Sequence, residues 1–296
     1  MLENLTTETP NPKTANLDLM TPLEFVKMMN DENVQVFQAI EKALLEIAQT
    51  IEIVARQFRL GGRLIYAGAG TSGRLGLMDA VECVPTFGVD DNMVIGLIAG
   101  GQRAFVKAVE GAEDSKKLCT EDLKGLGFSA RDVFIGIAAS GRTPYVIGGL
   151  EYANALGAET VAIACNYNSE IGKIAKTRIE VDAGSEPLTG STRLKAGTAQ
   201  KIILNMISTG AMIQIGKVYK NLMVDVLTTN KKLVDRARRI VMRVTGVDYE
   251  RADAVLNETN NKVKPAIVMI VNQCDFERAR EILKENGEFI RKTIVS

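Results

Sequence analysis

The stretch RLIYAGAGTSG, residues 63–73, decides the fold. A short run of branched and aromatic residues, 63–67, ends on Gly68 and passes at once into Ala69-Gly70-Thr71-Ser72-Gly73. The run has the length and composition of a buried strand, and the glycines after it mark a turn into a helix. The same design recurs further on: residues 132–139 form a second apolar run, followed by Ser140-Gly141-Arg142-Thr143-Pro144. Working outward, similar runs lie at 93–99, 160–165 and 178–182, with helical stretches or glycine-bearing turns between them. Five short buried strands alternating with helices predict an α/β fold, a doubly wound parallel sheet of flavodoxin type covered on both faces. In a 2-1-3-4-5 order, strands one and three are neighbours across the topological switch point, so the two hydroxyl-bearing loops face each other where ligands bind. A long helix over about 193–218 closes the unit.

On the N-terminal side, residues 1–18 are polar and proline-bearing, with no apolar h-region of a signal peptide. Thr21-Pro22 opens a short helix, and a longer one follows from about Asp31. Its apolar residues Val34, Phe37, Ile40, Leu44, Ile47, Ile51, Val54 and Phe58 are spaced close to a 3.5-residue period. Such a helix either lies on its own domain or zips against a partner subunit. On the C-terminal side, residues 231–243, 248–257, 263–272 and 275–285 read as helices, with Asp248 and Asp275 as N-caps. The basic run at 231–243 reads as a solvated helix face. The predicted division is residues 1–58, leader and N-terminal helices; 59–218, the α/β domain that carries both loops; and 219–296, a small helical bundle.

Composition narrows the chemistry. The 296 residues carry 36 Lys+Arg and 36 Asp+Glu, a balance unlike a nucleic-acid platform or a polybasic membrane binder. No run of 18 apolar residues occurs. Histidine is absent, which excludes a Ser-His-Asp triad, a Cys-His pair and His-ligated metals. Proton transfer must fall to a carboxylate, Lys, Tyr or Cys. Cys83, Cys119, Cys165 and Cys274 show no CxxC spacing, consistent with reduced thiols in a cytosolic chain and with no structural zinc.

Two glycine-rich loops with hydroxyls, each between a strand and a helix, suit a small phosphate: backbone N–H groups point at the anion and the hydroxyls add donors. Neither loop is a GxxxxGK[ST] sequence, and no acidic residue ends the second strand, so a nucleotide is not expected. The candidate phosphate ligands are Thr71, Ser72, Gly73, Ser140, Gly141 and Thr143.

Four segments carry a resemblance. GGRLIYAGAGTSGRLGLMDAVECVPTFG (61–88), AVEGAEDS (108–115), IAASGRTPYV (137–146) and GSTRLKAGTAQKIILNMIST (190–209) resemble the sugar-isomerase (SIS) superfamily and, within it, the N-acetylmuramic acid 6-phosphate etherases. The likeness extends to Thr7, Glu8, Asn11 and Pro12 in the leader and to KNLMVDVLTTNKKL (220–233). It departs at Val84, where the family commonly has proline, and at Ser185-Glu186-Pro187, where the family more often reads Gly-Pro-Glu.

The resemblance implies a lyase that cleaves the D-lactyl ether of a muramic acid phosphate by elimination and hydration, without metal or cofactor. It implies Glu82 and Glu113 as acid/base residues, with Glu82 the main one. Lys195 is a candidate to face the anionic substrate or else a surface residue. On a continuous helix from Gly73 to Cys83, Glu82 lies about 15 Å along the axis from Ser72. That is too far for one hexose phosphate: either the helix ends early, or Glu82 serves a site completed by another subunit, and with the heptad-spaced helix this favours a homodimer with shared sites. The alternatives are an aldose–ketose isomerase, which has no use for a lactyl-specific segment, and a non-catalytic sugar-phosphate sensor, against which the presence of both Glu82 and Glu113 speaks.

Overall fold

The computed structural model describes residues 5–107 and 109–294. Residues 1–4, 295 and 296 lie outside the description, as does Ala108, which opens the AVEGAEDS segment. The five apolar runs become β1 (Leu64–Gly68), β2 (Val94–Ile98), β3 (Val133–Ala138), β4 (Glu159–Ala164) and β5 (Thr177–Glu180). All pair in parallel in the order β2-β1-β3-β4-β5. β1 and β3 are buried along their whole length, as strands covered on both faces must be.

Helices α1 (Pro22–Glu41) and α2 (Leu44–Arg59) precede the sheet. Between and after its strands come α3 (Gly70–Phe87), α4 (Gln102–Val106), α5 (Lys116–Gly125), α6 (Pro144–Ala155), α7 (Glu170–Ile174) and α8 (Lys195–Gln214). Side chains alternate across a strand, and the two sets here meet different helices. Ile65, Ala67, Phe134 and Ala162 join Leu123, Tyr145 and Leu150 in one apolar cluster with α5 and α6. Tyr66 and Ile137 face the other way, where a Cβ on Gly76 of α3 would lie 2.9 Å from Tyr66 Cβ. The Tyr66 hydroxyl donates to Asp79 of α3 at 3.0 Å, and Asn205 and Ser208 of α8 donate to the same buried carboxylate. Burial pushes the Asp79 carboxyl up from its ordinary range.

The N-terminal helices differ from the sequence reading. One helix runs unbroken from Pro22 to Glu41, started by a reciprocal capping box between Thr21 and Glu24; Asn30-Asp31, which looked like a second start, lies inside it. The break falls at Lys42-Ala43 instead, and it divides the 3.5-residue stripe. Ile40, Ile47, Val54 and Phe58 are buried in their own unit, whereas Val34, Phe37 and Leu44 are exposed.

The described residues divide into two compact units, one within Met1–Val81 and Asn92–Ser208, the other within Glu82–Asp91 and Thr209–Ser296. The second holds α9 (Lys231–Thr245), α10 (Tyr249–Glu258), α11 (Val263–Asn272), α12 (Phe276–Glu285) and α13 (Ile290–Thr293). Asp248 and Asp275 cap α10 and α12 as expected, accepting from Arg251 and Arg278 N–H groups. The basic helix α9 buries Ala237, Ile240 and Val241 and pairs Arg238 with Asp253 and Arg239 with Asp235. Segment 82–91 belongs to this unit through contacts of its own. Leu227 N donates to Pro85 O at 3.3 Å, and a Cβ on Gly88 would lie 2.2 Å from Asp225 O. Among the described residues no helix is long and apolar enough to cross a membrane.

A buried carboxylate ties the leader, α1 and α8 of the first unit together. Glu32 accepts from Lys195 Nζ at 2.9 Å, Asn11 Nδ2 at 2.9 Å and Lys13 Nζ at 3.0 Å. Lys195, 1% exposed, also donates to Gln35 Oε1 at 3.0 Å. Burial by itself raises the Glu32 pKa, but the hydrogen bonds from Lys195, Lys13 and Asn11 outweigh it and hold the carboxyl below its ordinary 4.5. A depressed carboxylate pKa contributes stability that is complete above the unfolded value and is lost as pH falls through the folded one. Lys195→Met therefore strands a buried charge and is expected to cost about 3–5 kcal/mol in urea unfolding. The double variant Glu32→Gln/Lys195→Met regains much of that loss, and Glu32→Gln loses less stability than the parent below about pH 4.5.

Candidate active site

The sheet's parallel register builds the site. Gly68 of β1 pairs with Ile137 of β3, so both chains leave the same edge side by side, as expected at the switch point. At the first exit the approach is very close. A Cβ on Gly68 would lie 2.8 Å from Gly73 N, and one on Gly73 would lie 2.5 Å from Gly68 O. Two glycines thus let α3 begin directly at the strand's end, with Gly70 turning the chain at φ +52°. Gly73 N donates to Ala69 O at 3.2 Å, and the N–H groups ahead of it in the first turn have no intrahelical partner.

The second exit has Gly141 at φ +72°, where a Cβ would meet Ser169 Cβ at 2.4 Å. Thr143 stands at the N-cap of α6 with Pro144 behind it and makes no capping hydrogen bond. Thr71, Ser140 and Thr143 are partly exposed. Ser72 is not: it is 6% exposed and donates its proton to Gln200 Oε1 of α8 at 2.9 Å. The six phosphate-loop candidates are therefore together at one edge of the sheet, with Ser72 turned toward α8.

Glu113 is exposed, and its backbone carbonyl accepts from Tyr145 N at 2.9 Å. That bond pins the acidic turn to the first turn of α6, two residues from Thr143. Glu82 is not brought there. Helix α3 is continuous from Gly70 to Phe87, so Glu82 stands ten residues beyond Ser72, about 15 Å along the axis. It is exposed and belongs to the second compact unit.

Two further candidates have internal partners. Glu186 is buried and accepts from the Lys195 and Ala196 N–H groups at 2.8 and 2.9 Å, capping α8; burial pushes its carboxyl up. Lys195 is neither at the surface nor turned toward substrate, because its ammonium is spent on Glu32.

The sequence reading missed Asn166, Gln200 and the role of the leader. Asn166 Nδ2 donates to Ala139 O at 3.0 Å and to Thr7 Oγ1 at 3.1 Å, tying the leader to the second loop. Thr6 donates to Asp182 at 2.7 Å, and a Cβ on Gly190 would lie 3.2 Å from Glu8 Oε2. A polar side chain directly after the run 160–165 was the available signal for Asn166. Among the described residues no three His, Cys, Asp or Glu gather as a metal cluster.

Comparison with known proteins agrees with this geometry. Residues 126–209 match the family described as SIS domain, and residues 46–154 match the glucokinase regulatory protein N-terminal SIS domain. A phosphoheptose isomerase from Francisella tularensis has the same fold, with a TM-score of 0.52 over 66% of this chain and all of its own, at 16% identity. N-acetylmuramic acid 6-phosphate etherases of Bacillus mycoides, Bacillus cereus and Bacillus anthracis are each 60% identical over 267 residues, 90% of this chain and 91% of theirs. With that identity over almost its whole length, the chain belongs to the N-acetylmuramic acid 6-phosphate etherase family.

Proposed function

We propose that this chain cleaves the ether joining D-lactate to C3 of N-acetylmuramic acid 6-phosphate, with water, giving N-acetylglucosamine 6-phosphate and D-lactate. The observation that carries this reading is the 60% identity to relatives named for that substrate. In the ring-opened sugar the C1 aldehyde acidifies the C2 proton. A carboxylate removes it while an acid protonates the departing lactyl oxygen, and water then adds at C3 as a proton returns to C2. A protein without histidine can run every step on glutamates. We assign Glu82 as the main acid/base and Glu113 as its partner. Thr71, Ser72, Ser140 and Thr143, with the backbone at Gly73 and Gly141, hold the phosphate. Glu113 stands beside the second loop, which supports its share of the assignment.

The distance along α3 to Glu82 supports a homodimer in which each copy lends Glu82 to the other's site. So do exposed apolar residues on two helices: Val34 and Phe37 on α1, Met78 and Val81 on α3. The four cysteines form no disulfide with one another, which supports a reducing, cytoplasmic setting.

Three measurements test the reading. Ser140→Ala should raise KM about tenfold or more, the cost of one hydrogen bond to a charged group, and unphosphorylated N-acetylmuramic acid should be a very poor substrate; equal turnover of the two sugars overturns the phosphate site. Reaction in ¹⁸O-water should label the sugar at C3 and leave the lactate hydroxyl unlabelled, with deuterium from D₂O entering at C2. Label in lactate points instead to attack at the lactyl carbon, and a Glu82→Gln variant that fails to lose about 10²–10⁴-fold in rate removes Glu82 from its role. Finally, a mixture of inactive Glu82→Gln and Glu113→Gln chains should recover up to about a quarter of parental activity through mixed dimers. No recovery, or sedimentation of the parent at 32.1 kDa, overturns the shared site.

A further inference from the structure

We propose that Gln200 is a positioning residue for the phosphate: its side-chain amide sets the direction of the Ser72 hydroxyl proton and turns over when an anion fills the loops. The inference rests on Ser72 being a phosphate ligand, as assigned above. Both side chains are buried, Gln200 at 1% and Ser72 at 6% exposure.

The hydrogen-bond count is the argument. A hydroxyl has one proton to give, and Ser72 gives it to Gln200 Oε1 at 2.9 Å. In that arrangement the proton points away from the open edge of the sheet, and Ser72 can offer a phosphate oxygen nothing. At the same time Gln200 Nε2 is buried without an oxygen acceptor and faces the sulfur of Cys165, a weak acceptor. Buried donors are nearly always satisfied, and one left over needs a physical reason. The amide lies beside the Cys165 thiol, whose own proton is directed at Ala196 O, 3.6 Å away.

Rotation of the amide by half a turn resolves the mismatch. Gln200 Nε2 then donates to Ser72 Oγ, and the Ser72 proton is released toward the loop. Gln200 Oε1 faces Cys165, a thiol that burial keeps protonated and whose one proton turns from Ala196 O to the amide oxygen. The direction of donation becomes Cys165 to Gln200, Gln200 to Ser72, and Ser72 to the phosphate. Each member has the group it needs, and the arrangement is complete only when an anion accepts the last proton. The two orientations have the same shape, so the switch needs no backbone movement.

The test uses the full chain with Ser72→Ala, Gln200→Met, Gln200→Glu and the double variant Ser72→Ala/Gln200→Met. The measurements are KM for the sugar phosphate, kcat, competitive inhibition by inorganic phosphate, and thermal melting. Gln200→Met removes the donor and should weaken both substrate and inorganic phosphate about tenfold, with the loss falling on KM more than on kcat. Gln200→Glu keeps the size, and as a carboxylate it can only accept from Ser72, so it should weaken phosphate at least as much at a pH where it is ionised and melting shows it folded. The double variant should be no worse than Ser72→Ala alone, because Gln200 acts through Ser72. Losses that multiply in the double variant overturn the proposal, as does a Gln200 variant that lowers melting temperature and kcat without moving phosphate inhibition. If Ser72→Ala itself leaves KM and phosphate inhibition unchanged, the assignment of Ser72 fails, and the role of Gln200 fails with it.

Discussion

Between Gly68 and Gly73 the end of a strand and the start of a helix approach until neither position has room for one methyl group. A side chain at either would push α3 off the edge of the sheet. It would carry away the unpaired N–H groups of the first turn and the hydroxyls of Thr71 and Ser72. The remaining features of the edge follow from that seat. Pairing of β1 with β3 brings the second loop alongside, and Asp79 locks α3 to β1 and α8 through Tyr66, Asn205 and Ser208. The anion-binding chemistry proposed for this edge is a product of backbone geometry first and side chains second.

Charge is handled unevenly in a chain whose formal total is zero. Several carboxylates are withdrawn into the interior, where each has a fixed structural partner. Glu32 holds Lys195, Glu186 caps α8, and Asp132 accepts from Arg63 at the far end of the strands. Glu82 and Glu113 are left at the surface. The division separates acids that organise the fold from the two proposed for the chemistry.

The sheet was legible because parallel strands are almost uniformly apolar and their bounding glycines are emphatic. All five runs were placed within two residues, and the doubly wound order put the first and third strands side by side, as found. The two glycine-rich loops were legible for the same reason. What escaped was polar and long-range. Lys195 and Glu186 look like surface residues by type, and only their partners, 163 and about ten residues away, reveal them as internal. The break in the N-terminal helix was misplaced because Asn30-Asp31 has the composition of a cap, whereas the actual turn at Lys42-Ala43 has no such mark. Local composition cannot report a turn whose purpose is to aim two helix faces at a distant core.

The leader's anchorage has a consequence for how the chain is made. Thr6 and Thr7 find their partners at Asp182 and Asn166, separations of 176 and 159 residues. During synthesis these residues emerge well before their partners and have nothing to bind until those have followed. Closing so long a loop is slow and comes after local structure has formed. This segment is therefore made long before it can be held, and Asn166, which supports the second loop at Ala139, is joined to it only when it returns.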